Sequence, residues 1–345
     1  MDLSQFEYHL PPELIAQEPA EPRDASRLLV VDRARRSWQD RRFGELPALL
    51  GPGDCLVANE SKVIPARLLG TREADGRPLE LLMLRPLAVT RWEALVRPGR
   101  RCRVGARVLV AAGAARATVV AEADAGVRIL DIDAPWPVRE LLERHGLPPL
   151  PPYIARHDAP KPDDRERYQT VYARHEGSIA APTAGLHFTP ELIRRLLGLG
   201  VELHHLTLHV GPGTFRPLRA ARIEAHRMDA EEVQIPDATA RAVNRARAEG
   251  RRVIAVGTTT TRALEWASDA SGRVRAGRGA ADLYIYPGHP FTAIDGLITN
   301  FHLPRSTLLL LVSAFCGREL LLDAYRHAVA ARYRFYSYGD AMLIT

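Results

Sequence analysis

The stretch from about residue 67 to residue 147 constrains the fold more than any other part of this 345-residue sequence. Its apolar residues come in short runs that glycines interrupt, and helical periodicity is hard to find. Short strands at this spacing predict a small β-barrel or sandwich. The flanking residues, 1–66 and 148–345, alternate helical and strand patterns instead. We therefore predict an α/β chain with a β module inserted over residues 67–147.

Composition narrows the class of protein. The length favours two domains over one, and a net charge of +6 makes a polyanionic partner plausible. The most apolar run, Leu308–Phe315, is too short to span a bilayer, and acidic residues interrupt any apolar run at the start of the chain. Three cysteines, far apart in sequence, indicate neither a disulfide framework nor a zinc site. We expect a cytoplasmic protein without a membrane partner or a bound metal.

A helix followed by a strand forms the centre of the predicted main domain. Thr189 before Pro190 is typical of a helix start, and residues 201–210 have the pattern of a strand. The strand leads into a Gly-x-Gly turn at Gly211 and Gly213, which lets a ligand approach the backbone. Polar groups lie on both sides of this unit, namely Thr183, His187, His209, Thr214 and Arg216. A binding turn and a purely structural turn are equally compatible with this pattern.

Two other predicted strands have polar neighbours. Arg23, Asp24 and Arg27 precede the strand at 28–31, where they would hold an anion or simply pair with each other on the surface. Asn59 and Lys62 follow the apolar run at 54–58, where α/β sheets place ligands. Alternatively, Asn59 and Lys62 belong to a polar segment that connects to the next module, with side chains in solvent.

The second half of the chain holds a further possible anion site. A strand over 252–256 runs into Gly257, Thr258 and Thr259 at the start of a helix that also carries Arg262. Backbone N–H groups and the helix dipole at such a start favour a negative group, although threonines there are also ordinary caps. The sequence lacks the lysine of a phosphate-binding P-loop at this point.

Several remaining polar residues lie next to apolar runs. Asn300 and His302 separate two apolar segments, where a histidine is more often part of the core. Glu231 belongs to an acidic and histidine-containing stretch without metal-ligand spacing. A strand is predicted over 283–286. Aromatic residues alternate with arginine over 333–338, and they would stack on bases or pack a terminal strand.

Many long motifs in one order give the chain a specific resemblance. It resembles the S-adenosylmethionine:tRNA ribosyltransferase-isomerase family of the queuosine pathway over almost its whole length. The motifs that carry the resemblance are Pro-Glu-Leu-Ile-Ala-Gln at 12–17, Glu-Pro-Arg-Asp-Ala-Ser-Arg at 21–27, Val-Ile-Pro-Ala-Arg at 63–67, the segments 167–173, 181–189 and 209–217, Gly-Thr-Thr at 257–259, Leu-Ile-Thr-Asn-Phe-His-Leu-Pro at 297–304, and the segments 333–335 and 337–342.

The resemblance implies a mixed α/β main domain with an inserted small β-barrel domain. It also implies transfer and isomerisation of the ribosyl part of S-adenosylmethionine onto 7-aminomethyl-7-deazaguanine at the wobble position of tRNA. Epoxyqueuosine, adenine and methionine would be the products. The partners would be tRNA and S-adenosylmethionine, the latter a co-substrate rather than a cofactor, and a monomer is favoured.

This chemistry requires a base for a C5′ proton next to the sulfonium, and groups that stabilise charge on the departing adenine. The candidates for acid–base roles are His187, His209 and His302, with Asp340 or Glu231 as carboxylate alternatives. The candidates for substrate binding are Thr183, Gly211, Gly213, Thr214, Phe215, Arg216, Thr258, Thr259, Arg262 and Asn300, with Arg23, Asp24, Arg27, Asn59 and Lys62 as further ones.

The chain departs from the family pattern at several positions, which puts a site role at Asp229 and Ala230 in doubt. Asp229 and Ala230 stand where the family usually has His and Ser, Ala281 replaces a usual Thr, and residues 60–62 read Glu-Ser-Lys in place of a common Asp-Thr-Arg. A tRNA-binding paralogue without ribosyl transfer is one alternative function. An ordinary methyltransferase is another, disfavoured because no glycine-rich methyltransferase loop follows a first strand.

Overall fold

In the described part of the chain, seventeen strands make up two large sheets and one small one. The computed structural model describes residues 1–156, 161–211, 213, 218 and 222–345. In chain order the strands are β1 (Arg27–Asp32), β2 (Ser37–Arg42), β3 (Cys55–Asn59), β4 (Ser61–Val63), β5 (Arg67–Arg72), β6 (Pro78–Pro86), β7 (Arg91–Arg97), β8 (Arg107–Val110), β9 (Ala115–Glu122), β10 (Val127–Asp133), β11 (His175–Ser178), β12 (Glu202–Leu208), β13 (Glu231–Ile235), β14 (Val253–Val256), β15 (Gly277–Ala281), β16 (Gly296–Asn300) and β17 (Ala341–Ile344).

The α-helices pack around the larger sheet and between the sheets. In chain order they are α1 (Val138–His145), α2 (Asp164–Arg167), α3 (Pro190–Gly198), α4 (Asp237–Ala248), α5 (Thr258–Ala267), α6 (Thr307–Cys316) and α7 (Arg318–Ala330). The predicted cap of α3 is present, because the Thr189 side chain accepts a hydrogen bond from the Leu192 N–H. The apolar run at 308–315 lies within α6, whose side chains are nearly all buried. Among the described residues, no helix has the length and apolarity to cross a membrane.

The inserted module is a closed antiparallel barrel with the strand order β10-β7-β6-β5-β8-β9. Alternate residues of its strands point into the core, such as Leu79, Leu81 and Met83 on β6, as the period of two requires. Gly70 allows β5 and β8 to lie close together, since a Cβ there would come within 2.6 Å of the Leu109 carbonyl oxygen. The predicted fold class, a mixed α/β sheet with a small β-barrel, is confirmed. The barrel strands lie between Arg67 and Asp133, while the domain limits at 67 and 147 stay a prediction.

The main sheet has nine strands in the order β15-β13-β12-β3-β14-β16-β17-β1-β2. The four strands β12, β3, β14 and β16 are parallel neighbours, so their carboxyl ends lie along one edge. Strand β17 runs antiparallel to β16 and pairs Ala341 with Asn300, which places the start of β17 at the same edge. Strand β1 is parallel to β17 and also begins there. We call this line of strand ends the carboxyl edge.

The predicted strand over 283–286 is wrong. The edge strand on this side of the sheet is β15, and residues 282–286, which follow it, have no regular secondary structure. The Leu283 carbonyl accepts a hydrogen bond from Arg262 Nε instead of joining a sheet ladder. The apolar run is explained by packing instead, because Ile285 is buried in the main core and Leu283, Tyr284 and Tyr286 pack against that core.

Candidate active site at the carboxyl edge

Two turns that are distant in sequence meet at the carboxyl edge. The 3-10 turn Thr183–His187 packs against β16, and the helix α5 begins directly after β14. Gly257 joins β14 to α5 with a φ of 93°, and a Cβ there would lie 3.6 Å from the Cβ of Ala184. Sequence motifs more than seventy residues apart therefore form one surface.

His187 is enclosed at this surface. Its Nδ1 lies 2.8 Å from the Ser26 hydroxyl, its Nε2 lies 3.1 Å from Asn300 Nδ2, and its ring stacks on Phe43. The side-chain amide of Asn300 also donates to the Tyr336 carbonyl at 3.0 Å. Because this carbonyl fixes which end of the amide is nitrogen, His187 Nε2 accepts and its Nδ1–H donates to Ser26. Burial lowers the pKa of His187 to about 3, so the ring is neutral.

His302 is enclosed in a similar way. Its Nε2 lies 2.8 Å from the Thr299 hydroxyl, and burial lowers its pKa to about 3. The backbone of His302 is held on both sides, since its N–H donates to the Tyr325 hydroxyl and its carbonyl accepts from Tyr8. Both of these histidines are thus neutral, buried and hydrogen-bonded.

The other polar residues of the strand ends hold the sheet edge together. Asn59 donates to the Leu208 carbonyl at 2.9 Å and accepts from the Leu208 N–H at 3.1 Å, which ties β3 to β12. It also approaches the Thr259 hydroxyl at 3.4 Å. Thr258 and Thr259 are buried in the first turn of α5. The first N–H groups of this helix have no intrahelical acceptor, so they are available to an anion.

A buried ion pair links the Gly211 turn to α5. Arg262 and Glu231 are both about 95% buried, and the guanidinium donates to the carboxylate and to the carbonyls of Leu283 and Ala281. Glu231 also accepts from the Gly211 N–H at 2.9 Å. The pair therefore fixes the start of the Gly-x-Gly turn relative to the helix.

His209 lies in a different environment from the other two histidines. It lines a cavity of about 670 Å³ between the barrel and the main sheet, which we call the barrel cleft. It also lines a smaller cavity of about 390 Å³ beside this cleft. Neither ring nitrogen has a hydrogen-bond partner among the described residues, and burial lowers the pKa of His209 below its usual value. The ring rests on Gly177, where a Cβ would come within 2.8 Å of it.

Both domains and several predicted residues contribute to the barrel cleft. Gly211, Gly213 and Glu231 line it from the main domain, and Leu84, Trp92 and Val127 line it from the barrel. The lining includes seven acidic residues, Glu93, Asp124, Glu143, Glu176, Asp229, Glu231 and Glu232, beside the two arginines Arg85 and Arg139. Four of these acids form ion pairs with arginines, namely Glu93, Glu143, Glu176 and Glu231. The lining still has more acidic than basic side chains, which favours a cationic ligand.

The remaining predicted residues lie apart from the cleft and have structural contacts. Arg23 donates to the carbonyls of Gln169, Leu186 and Glu166, and Asp24 accepts from the Thr189 hydroxyl. Arg27 lies over the Tyr333 ring and pairs with Asp40.

Asp340 and Lys62 also have hydrogen-bond or ion-pair partners. Asp340 accepts from the backbone N–H groups of Arg27 and Arg334. Lys62 forms an exposed ion pair with Glu176. Thr183 is half-buried at the start of its 3-10 turn. Thr214, Phe215 and Arg216 lie outside the described residues.

Sequence reasoning missed two kinds of residue. Ser26 holds His187, although it lies within a motif that drew attention to its charged neighbours only. Trp92 and Leu84 reach the cleft from the barrel, and no local pattern predicts a contact across two domains.

Comparison with known proteins identifies the family. The family model described as queuosine biosynthesis protein matches residues 3–344. The chain belongs to this family. A relative from Moorella thermoacetica, named S-adenosylmethionine:tRNA ribosyltransferase-isomerase, is 55% identical over the whole of both chains. A relative of the same name from Symbiobacterium thermophilum is 54% identical, also over the whole of both chains.

A solved structure gives the same result. The crystal structure of S-adenosylmethionine tRNA ribosyltransferase from Thermotoga maritima is 39% identical, with a TM-score of 0.56. The match covers 99% of this chain and 100% of the other. The resemblance that the sequence motifs carry is therefore confirmed.

Proposed function

We propose that this protein transfers and isomerises the ribosyl part of S-adenosylmethionine onto 7-aminomethyl-7-deazaguanine at the wobble position of tRNA. Epoxyqueuosine-containing tRNA, adenine and methionine are the products. The observation that carries this proposal is the 55% identity to a curated relative of that name over the whole of both chains. The acidic lining of the barrel cleft supports it, since S-adenosylmethionine carries a positive sulfonium.

His209 is the general base in this proposal. A base must reach the C5′ proton from a cavity that is large enough for the substrate, and it must be neutral at the working pH. His209 lines the barrel cleft without a partner on its ring, and its lowered pKa keeps it neutral near pH 7. His187 and His302 are hydrogen-bonded in the interior instead, with pKa values of about 3. They position the carboxyl edge and take no proton.

The carboxylates have structural roles in this proposal. Glu231 neutralises Arg262, and Asp340 caps two backbone N–H groups. The N–H groups at the start of α5 hold the methionine carboxylate of the donor, because a helix start favours a negative group. Gly211 and Gly213 line the barrel cleft, and their lack of side chains leaves room for close approach of the same substrate.

One reaction tests the proposal. The protein is incubated with S-adenosylmethionine and tRNA that carries the aminomethyl precursor, the tRNA is digested, and its nucleosides are analysed by mass spectrometry. We expect epoxyqueuosine together with free adenine. A shift in tRNA mobility without product would indicate the tRNA-binding paralogue, and S-adenosylhomocysteine would indicate a methyltransferase; either result would overturn the proposal.

A further inference from the structure

The smaller cavity beside the barrel cleft differs from the cleft in the chemistry of its walls. Its volume is about 390 Å³, and every described residue that lines it is polar. We call it the arginine pocket, because its lining includes Arg139, Arg174 and Arg278. The other lining residues are two histidines, two glutamates, a threonine and a glutamine, namely His175, His209, Glu176, Glu232, Thr207 and Gln234.

One side of the arginine pocket is a row of side chains across three strands of the main sheet. Thr207 of β12 pairs with Gln234 of β13, and Gln234 pairs with Arg278 of β15. Directly opposite residues of antiparallel strands have their side chains on the same face of the sheet. Val233 and Ile235, which flank Gln234 in β13, are buried in the main core, so the row faces away from that core. The sheet therefore presents Arg278 to the pocket.

The arginine pocket and the barrel cleft have opposite excesses of charge. Both glutamates of the pocket, Glu176 and Glu232, also line the cleft. Among the described residues, those that line the pocket alone include Arg174 and Arg278 but no carboxylate. A ligand that reaches from one cavity into the other would therefore be cationic in the cleft and anionic in the pocket.

The guanidinium groups of the pocket are exposed and weakly paired. Arg278 donates from Nε to the neutral Gln234 side chain at 3.1 Å, and it forms no ion pair with a described residue. The Arg174 side chain is 74% exposed, and its Nη1 lies 3.9 Å from a Glu60 oxygen, beyond hydrogen-bond distance. Both groups thus have N–H donors available to an anion.

Only one carboxylate of the lining opposes an anion. Lys62 Nζ lies 2.9 Å from a Glu176 oxygen, and Arg139 lies 3.8 Å from the other oxygen, so Glu176 is neutralised. Glu232 forms no ion pair with a described residue, but the three arginines of the lining outnumber it. The pocket as a whole therefore favours an anionic ligand.

We propose that the arginine pocket binds a phosphate of the RNA backbone next to the nucleotide whose base enters the barrel cleft. The planar guanidinium group donates two parallel hydrogen bonds to phosphate oxygens, which suits it to this ligand. His209 lines both cavities, so a strand with a base in the cleft has its backbone beside the pocket. The inference rests on the proposed function, which supplies the RNA.

The salt dependence of RNA binding tests this inference. The full-length protein is titrated into a fluorescently labelled anticodon stem–loop RNA, and anisotropy gives the affinity from about 50 to about 200 mM salt. Arg278→Gln should weaken binding about fivefold at the lowest salt, and Arg174→Gln with Arg278→Gln about thirtyfold. Because one contact to a single-strand phosphate is lost, the slope of log K against log salt should become shallower by about 0.7 in the double variant.

Two further variants separate a phosphate contact from other effects. Arg278→Lys keeps the charge, so it should keep the wild-type slope while it loses part of the affinity. Arg326→Gln is the matched control for the loss of one exposed charge. Arg326 lies in α7, whose next residue, His327, contacts Asp40 of β2 at the opposite end of the nine-stranded sheet. This control should bind the stem–loop as the wild type does.

The affinity for S-adenosylmethionine, measured by equilibrium dialysis, should stay within twofold of the wild-type value in Arg278→Gln. Weaker binding of S-adenosylmethionine with unchanged RNA binding would assign the pocket to the donor's carboxylate and overturn the inference. So would arginine variants with the wild-type circular dichroism spectrum, RNA affinity and salt slope.

The inference and the proposed function fail in different ways. Epoxyqueuosine formation by a wild type whose arginine variants bind RNA normally would overturn the phosphate site and leave the proposed function standing. A wild type that binds the stem–loop through Arg278 but forms no epoxyqueuosine would contradict the proposed function and support the phosphate site.

Discussion

The carboxyl edge and the barrel cleft use the same residue type in opposite ways. At the edge, His187 and His302 are buried, and hydrogen bonds hold both side chains. In the cleft, His209 lines a cavity of about 670 Å³ and its ring has no partner among the described residues. Enclosure and hydrogen bonding make a histidine part of the structure, while an open cavity beside a neutral ring makes it available to a substrate. Surroundings rather than residue type therefore decide the role.

Removal of the cleft histidine is expected to have the largest effect. His209→Ala should lower kcat about a thousandfold, because a positioned general base contributes about 10² to 10⁴ in rate. Its melting temperature should stay close to that of the wild type, since no described hydrogen bond to the ring is lost. Epoxyqueuosine formation, measured by mass spectrometry, gives the rate. His205→Ala is the control, because His205 lies in β12, just before His209 in the chain, and does not line the cleft. Equal losses of kcat in the two variants would contradict the different roles of the cleft and edge histidines.

Removal of an edge histidine is expected to act on stability instead. His187→Ala should lower the free energy of unfolding by about 3 kcal/mol, because it opens a cavity and leaves Ser26 and Asn300 without their partner. Urea denaturation followed by fluorescence measures this. The kcat of the fraction that stays folded should change far less than in His209→Ala. A His187→Ala protein that is as stable as the wild type but has no turnover would contradict the structural role of His187 and indicate a catalytic one.

The two edge histidines should also make stability depend on pH. Each has a pKa of about 3 in the folded state and about 6.5 in the unfolded state, so the unfolded chain binds protons first as the pH falls. Their stabilisation is complete above pH 6.5 and is lost progressively from there towards pH 3, at about 1.4 kcal/mol per pH unit for each histidine. Urea denaturation between pH 7 and pH 5 measures the slope. His302→Gln should make the slope shallower, and an unchanged slope would show that His302 does not contribute.

The smallest effect is expected for Lys62, which lies in β4, shortly before the first barrel strand. Lys62→Ala removes an exposed ion pair with Glu176, so the free energy of unfolding should change by less than about 0.5 kcal/mol. The KM for tRNA measures whether Lys62 binds substrate. A KM within twofold of the wild-type value would remove Lys62 from the candidates, and a rise above tenfold would extend the binding surface to this residue.

The sequence predicted the parts of this molecule that depend on local patterns. Interrupted apolar runs indicated the barrel, and the Thr189 cap and the run at 308–315 indicated helices. It did not distinguish the three histidines, because enclosure depends on residues such as Ser26 and Asn300 that lie far away in the chain. It also predicted a strand over 283–286, since these apolar side chains pack on the main core and produce the same apolar run as a strand. The barrel wall of the cleft depends on how two sheets pack, which no local pattern encodes.

The pH dependence of kcat/KM tests the central claim most directly. A neutral base with a lowered pKa predicts that kcat/KM of the wild type falls on the acid side with an apparent pKa below 6.5. The same profile is then measured for the residual activity of His209→Ala, and we expect this acid limb to be absent. An identical acid limb in both proteins would contradict the assignment of His209 as the base in the barrel cleft.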